Sequence, residues 1–176
     1  IYGECNRIHI SEITAVYEEQ SHIHTVEAQK HDRTALSAAK LIADRIPDGA
    51  TMQIGVGRVP DAIGSFLFDH KNLGIHTEMF SQSMMELLKA GVVNNSRKTL
   101  LPGKTIFSFA GGKRATKEIY DFVDCNTDIE MKSISWVNDP RVIAKHDLFI
   151  SVNSALAVDL TGQVCSETIG LRTFSG

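Results

Sequence analysis

The hydrophobic positions change period along the chain. Up to about Lys30 they are sparse: "RIHISEI" (7–13) alternates as a strand does, and the polar "EEQSHIHTVEAQKHD" that follows has no period, so this stretch reads as a linker. From Asp32 the pattern turns helical. Ala35, Leu36, Ala39, Ile42, Ala43 and Ile46 share one face, with an acidic residue at the start and "PDG" after the end. That spacing predicts a helix of about 14 residues.

Short apolar runs and helical patterns then alternate. "ATMQIGV" (50–56), "LGIHTEM" (73–79), "KTIFSFA" (104–110), "IEMKSI" (129–134) and "LFISVNSA" (148–155) read as strands. Between them "VPDAIGSFLFD" (59–69), "MMELLKAG" (84–91), "ATKEIYDFVD" (115–124) and "PRVIAKHD" (140–147) read as helices. Strands separated by helices predict βαβ units, and so an α/β fold with an open, mostly parallel sheet and helices on both faces. In "ALAVDLTGQVCSE" (155–167), two alternating runs around Thr161-Gly162 read as a hairpin. No repeat of fixed period occurs.

An open parallel sheet places its ligand site beyond the carboxyl ends of its strands, which directs attention to three turns. "GVGRVPDA" puts Gly55 and Gly57 between a strand and a helix. Two readings stand: a loop whose amides hold an anionic group or a ligand oxygen, or a tight turn that lets the helix pack closely. A dinucleotide fingerprint would need a third glycine where Pro60 stands. "AGGKRATKE" places Lys113 and Arg114 at a helix start without the spacing of a phosphate-binding loop; it reads first as a solvated turn, with a phosphate contact as the alternative. In "LGIHTEMFSQS", Glu78 stands where a strand ends and a turn begins. Its roles are nucleophile, acid or base, metal ligand, or acceptor for turn amides. Glu167, in "VCSETIG", is a rival that spacing does not separate from it.

Composition narrows the classes. With 43% hydrophobic and 22% charged residues in 176, and a net charge of -3, the chain falls in the soluble globular class. Lys and Arg form no stripe interleaved with aromatics, so nucleic acid is not an expected partner. No apolar run reaches the roughly 20 residues that cross a bilayer, and a cytoplasmic or organelle-matrix protein is expected. Cys5, Cys125 and Cys165 show no paired spacing, and His22, His24 and His31 have no acidic or cysteine partner at a ligand spacing, so no metal is expected. The chain starts at Ile1 and stops at "TFSG", on the approach to a glycine-rich loop, and a segment of a longer polypeptide is the expectation.

"MQIGVGRVPDAI", "LGIHTEMFS", "GVVNNSRKTLLPGK", "YDFVD", "VNDPRVIAKHD" and "VNSALAVDLTGQVCSETIGLRTFSG" occur in unbroken order. Together they resemble the acetyl-CoA hydrolase/transferase branch of the family I CoA-transferases, which includes 4-hydroxybutyrate, butyrate and acetate CoA-transferases. The resemblance implies two similar α/β domains in the complete polypeptide. Residues 1–30 would be the linker and tail of a preceding N-terminal domain, and 31–176 the first part of a C-terminal one. It makes Glu78, in the G-I-H-S/T-E-M motif, the catalytic nucleophile that attacks an acyl-CoA thioester and passes through a glutamyl-CoA thioester. It assigns Gly55, Val56, Gly57, Arg58 and Val59 to CoA binding, with Gly176 opening a further glycine-rich CoA contact.

Coenzyme A would be substrate and carrier, no metal would be needed, and a homo-oligomer is implied. Two departures bear on substrate choice and CoA fit: "SQSMMELL" replaces S-D-G-V/M after the nucleophile motif, and "FAGGKRATKEIYDF" is longer than the usual turn. The alternatives are an acyl-CoA hydrolase on the same scaffold, a noncatalytic ligand-binding domain, and a nucleotide-dependent oxidoreductase, which the missing third glycine opposes.

Overall fold

The computed structural model describes residues 3, 6–21, 23, 25, 31–111 and 116–174. Helix α1 is Arg33–Ala43, capped by Asp32, whose carboxylate accepts from Ala35 N–H at 2.8 Å, and its buried face is Ala35, Ala39 and Ala43. It ends short of Ile46 because the residue before a proline, here Pro47, is disfavoured in helical geometry. Ile46 is nevertheless buried.

Strand β1 is Thr51–Ile54, β2 Gly74–Ile75, β3 Met79–Phe80, β4 Thr105–Phe107, β5 Phe109–Ala110, β6 Ile129–Met131 and β7 Phe149–Val152. β1 pairs in parallel with β2 on one side and β7 on the other, and β4 pairs in parallel with β6. A parallel bridge between His76 and Ile106 joins the two groups, so the strands run β6-β4-β2-β1-β7. Residues of either parity are buried along β2 and β4, which requires cover on both faces of the sheet. β7, at the edge, is half-buried.

The helices are α2 (Arg58–Ile63, continued by a 3-10 turn, Gly64–Phe66), α3 (Gln82–Lys89), α4 (Lys117–Val123), α5 (Ile134–Val137) and α6 (Pro140–Ile143). α1 packs on α2, and α3 on α4. Phe80 and Phe107 stack at 4.8 Å between ring centroids inside one continuous core. Asn95, buried with φ 57°, stands in for a missing strand: its Oδ1 accepts from Ile75 N–H and its Nδ2 donates to Thr105 Oγ1, both at 2.9 Å.

In "RIHISEI", within the stretch read as a linker, Ile10–Glu12 is a 3-10 turn capped by His9, and residues 6–13 are exposed, so the alternation has no face to bury. Two expectations are corrected. "IEMKSI" stops pairing at Met131, opposite the end of β4 at Phe107, and Ile134 starts α5 instead. The strand expected at 73–79 is interrupted: β2 and β3 flank Thr77 and Glu78. The expected hairpin is present as β8 (Ala157–Val158) against β9 (Val164–Cys165), and a second one, β10 (Thr168–Ile169) against β11 (Arg172–Thr173), follows it. Among the described residues no helix is long and apolar enough to cross a membrane.

Candidate active site

The sheet order reverses between β1 and β7, because the chain leaves β1 outward through β2, β4 and β6 and then returns to the opposite side. The crevice beyond the carboxyl ends of those two strands is where ligands bind in folds of this type. A cleft of about 450 Å³ lies there, a size usual for small-molecule sites. Its walls are the ends of three neighbouring strands: Gln53 and Ile54 at the end of β1 with Gly55 and Val56 beyond it, Glu78 and Met79 after β2, and Asn153 to Leu156 after β7. Ser166 and Phe174, from the hairpin segment, complete it.

Glu78 is half-buried at a fixed bend. Its carbonyl accepts from both Ser108 N–H (2.9 Å) and Phe109 N–H (3.1 Å), two donors on one acceptor. The register is the same on both sides of this bend, His76 opposite Ile106 and Met79 opposite Phe109, so the chain turns here without an inserted residue. The carboxylate Oε2 accepts from Asn138 Nδ2 at 2.6 Å, its one hydrogen-bond partner among the described residues. Asn138 follows α5, so the holding group comes from the helix that the periodicity did not predict. No described cation forms an ion pair with Glu78, and its negative charge is held by a neutral amide.

The glycine turn is shaped by β7. A Cβ on Gly55 would lie 2.3 Å from Asn153 Oδ1, and one on Gly57 would lie 2.5 Å from Ser154 Oγ at a φ of 146° that L side chains rarely adopt. Gly55 N–H is taken by Val152 O at 2.8 Å. Asn153, Ser151 and Gln53 form a closed polar set: Ser151 Oγ and Asn153 Nδ2 both donate to Gln53 Oε1, at 2.6 and 3.0 Å.

Behind Glu78 lies a buried basic cluster. His76 is 1% exposed; its Nε2 donates to Val137 O at 2.9 Å, and its Nδ1 faces His146 Nε2 at 3.3 Å. A carbonyl only accepts, so the proton of His76 sits on Nε2, and Nδ1 accepts from His146. Burial pushes His76 below its ordinary value and His146 down to about 4, with the positive form of His76 opposing His146 further. Lys98, also buried, donates to Ile75 O at 2.9 Å and to Lys104 O at 2.5 Å. Burial pushes its ammonium down to about 7 against the favourable field of Glu130.

Of the residues singled out from the sequence, Gly55, Val56 and Glu78 meet in the cleft. Gly57 caps α2 just outside. Arg58 is exposed and pairs with Asp32 at 3.0 Å, while Val59 packs against the core. Glu167 is exposed and is not part of the cleft lining, although its carbonyl accepts from Phe174 N–H. Gly176, Lys113 and Arg114 lie outside the described residues. Asn138, Gln53 and Asn153 were not singled out. Their only sequence signal is a polar residue at or after a predicted strand or before the Asp-Pro start of a helix, which is common in any loop.

A family model described as "Acetyl-CoA hydrolase/transferase C-terminal domain" matches residues 115–176. The 4-hydroxybutyrate coenzyme A transferase of Clostridium kluyveri is 47% identical over 169 residues, 96% of this chain and 39% of that protein. The chain belongs to the acetyl-CoA hydrolase/transferase family. A succinyl-CoA:acetate/propanoyl-CoA:succinate CoA transferase of Fasciola hepatica, another relative of this family member, is 39% identical over 96% of the chain and 35% of its own length. Among solved structures, RipA from Yersinia pestis has a TM-score of 0.86 at 37% identity, covering 95% of this chain and 38% of that one. The 4-hydroxybutyrate CoA-transferase from Porphyromonas gingivalis has 0.82 at 40%, covering 89% and 39%. The chain thus spans about 39% of the length of the first of these relatives.

Proposed function

We propose that the protein is an acyl-CoA:carboxylate CoA-transferase in which Glu78 is the nucleophile. The observation that carries this is the placement of Glu78 at a bend after β2, in the cleft at the strand-order reversal, held by Asn138 and paired with no described cation. The relatives at 36–47% identity are named CoA-transferases for 4-hydroxybutyrate, succinate, cyclohexane-1-carboxylate and butyrate, which supports a short-chain acyl group and a free carboxylate as substrates.

In the proposed cycle a Glu78 oxygen attacks the thioester carbonyl, the C–S bond breaks, and CoA leaves as thiolate. The thiolate then attacks the Glu78 carbonyl carbon of the mixed anhydride and expels the acyl group as its carboxylate. An incoming carboxylate reverses both steps and takes up CoA. No net proton transfer is needed, so a neutral amide suits the nucleophile better than a cation that would hold its charge. Covalent intermediates of similar group-transfer energy keep each step near balance. Contacts to the distant parts of CoA supply the binding energy that orients the reacting centre.

Gly55, Val56 and Gly57 form the CoA-facing turn in this reading, with the bare backbone at Gly55 and Gly57 leaving room for Asn153 and Ser154. Gly55 N–H is already committed, so Val56 and Gly57 carry the amides that donate to no described residue and are proposed to meet the developing oxyanion. Arg58, Val59 and Gly176 complete the proposed CoA contacts by family resemblance alone. Residues 31–176 are proposed to be part of a C-terminal domain, in keeping with the model matched at 115–176. Homo-oligomer formation and a cytoplasmic location belong to the same proposal.

The test is mass analysis of the full-length protein after incubation with acetyl-CoA or butyryl-CoA. A borohydride-sensitive CoA adduct on the peptide containing Glu78, absent in Glu78→Ala, is expected. An adduct on Glu167 instead, or none with any short acyl-CoA, refutes the assignment. Acetyl-CoA loss without a carboxylate acceptor, at the same rate as with one, identifies a hydrolase.

A further inference from the structure

We propose that His76 is a positioning residue for Glu78, acting through the Val137 carbonyl and Asn138. This rests on the reading of Glu78 as nucleophile. His76 and Glu78 are two apart, on either side of Thr77. They meet two adjacent residues at the end of α5: His76 Nε2 donates to Val137 O at 2.9 Å, and Asn138 Nδ2 donates to Glu78 Oε2 at 2.6 Å. The backbone of 76–78, that of 137–138 and these two bonds close a ring.

Asn138 N–H closes α5 on Ile134 O at 2.9 Å, which places its backbone but not its side chain. α5 has four residues, Val137 is its one buried side chain, and Ile134 is exposed. Asn138 is itself exposed, and an exposed amide on a short helix end has freedom to move away from its acceptor. The bond to Val137 O removes that freedom, because it fixes the residue before Asn138 to a buried ring. The tilted contact of that ring with Trp136, at 5.6 Å between centroids, adds a second attachment to the same helix.

The ring is in turn fixed from behind. His146 Nε2 donates to His76 Nδ1, leaving Nε2–H of His76 as the donor toward α5. At 1% exposure His76 has no path to a bound substrate, so its effect on chemistry passes through Asn138. The neighbouring base therefore orients the clamp and takes no proton in the cycle.

The experiment is a mutant cycle in the full-length enzyme, read as the single-turnover rate of adduct formation on Glu78 and as the KM for acyl-CoA. His76→Gln carries an amide nitrogen near the place of Nε2, while His76→Asn is too short to reach Val137 O. The expected result is a fall of about tenfold or more in adduct rate for His76→Asn, with KM within about twofold, and most of the rate kept by His76→Gln. In an Asn138→Ala background, His76→Asn is expected to lower the rate by less than about twofold further, since the group it positions is gone. Equal losses in the Gln and Asn variants, a change in KM alone, or multiplication of the His76 and Asn138 effects overturns the proposal. A Glu78→Ala enzyme that still forms the adduct refutes the nucleophile itself. Loss of the adduct in that variant together with multiplicative effects refutes only the clamp.

Discussion

Substituting Gly55 by alanine isolates the steric coupling between the glycine turn and β7. The added Cβ would lie 2.3 Å from Asn153 Oδ1 and 3.3 Å from Val152 O. The first contact is about 1 Å inside ordinary van der Waals separation, so the Asn153 side chain has to move. The second is relieved by a few tenths of an ångström of backbone adjustment. No positive φ is involved at Gly55, so the cost is overlap and not backbone strain.

Moving Asn153 breaks its exchange with Gln53, bonds of 3.0 and 3.2 Å, in a partly solvated place where water replaces part of the loss. Overpacking costs about 1–3 kcal/mol, and the solvated setting puts Gly55→Ala near the lower half of that range, about 1–2 kcal/mol. With a urea m value of about 2 kcal/mol/M, the midpoint falls by about 0.5–1 M. The decisive comparison is Gly55→Ala in an Asn153→Ala background, where the clashing Cγ and Oδ1 are absent. There the added cost of the Gly55 change is expected to fall below about 0.5 kcal/mol. An undiminished cost in the double variant refutes the idea that Asn153 is what excludes a side chain at residue 55.

Two further outcomes follow from buried polar groups. Asn95→Ala leaves Ile75 N–H and Thr105 Oγ1 without their buried partner and places alanine at φ 57°, and is expected to cost about 3 kcal/mol by denaturant unfolding; Asn95→Gly, which keeps the φ but loses both bonds, is expected to recover only the backbone share. For Lys98, the folded value of about 7 lies below the ordinary 10.5, so between those pH values the unfolded chain binds the proton and the folded one does not. Stability from this group therefore rises with pH from about 7 to about 10.5. The slope of unfolding free energy against pH in that window is expected to be smaller in Lys98→Met, and an unchanged slope counts against a neutral buried Lys98.

Periodicity alone located α1, the alternation of strands and helices, and the first of the two hairpins, because burial on one or both faces of a local element leaves its mark in local spacing. It also located the strand-end turns at Gly55 and Glu78, and with the family motifs it singled out Glu78, Gly55 and Val56 before any contact was known. What it missed is non-local. The short α5 carries one buried side chain, too few to make a helical period. Asn138 is 60 residues from the carboxylate it holds, and Asn153 is 98 residues from the glycine it constrains. Spacing along a chain encodes which face of an element is buried; which distant polar groups meet is decided only when strand order and the bend at Glu78 bring three carboxyl ends together.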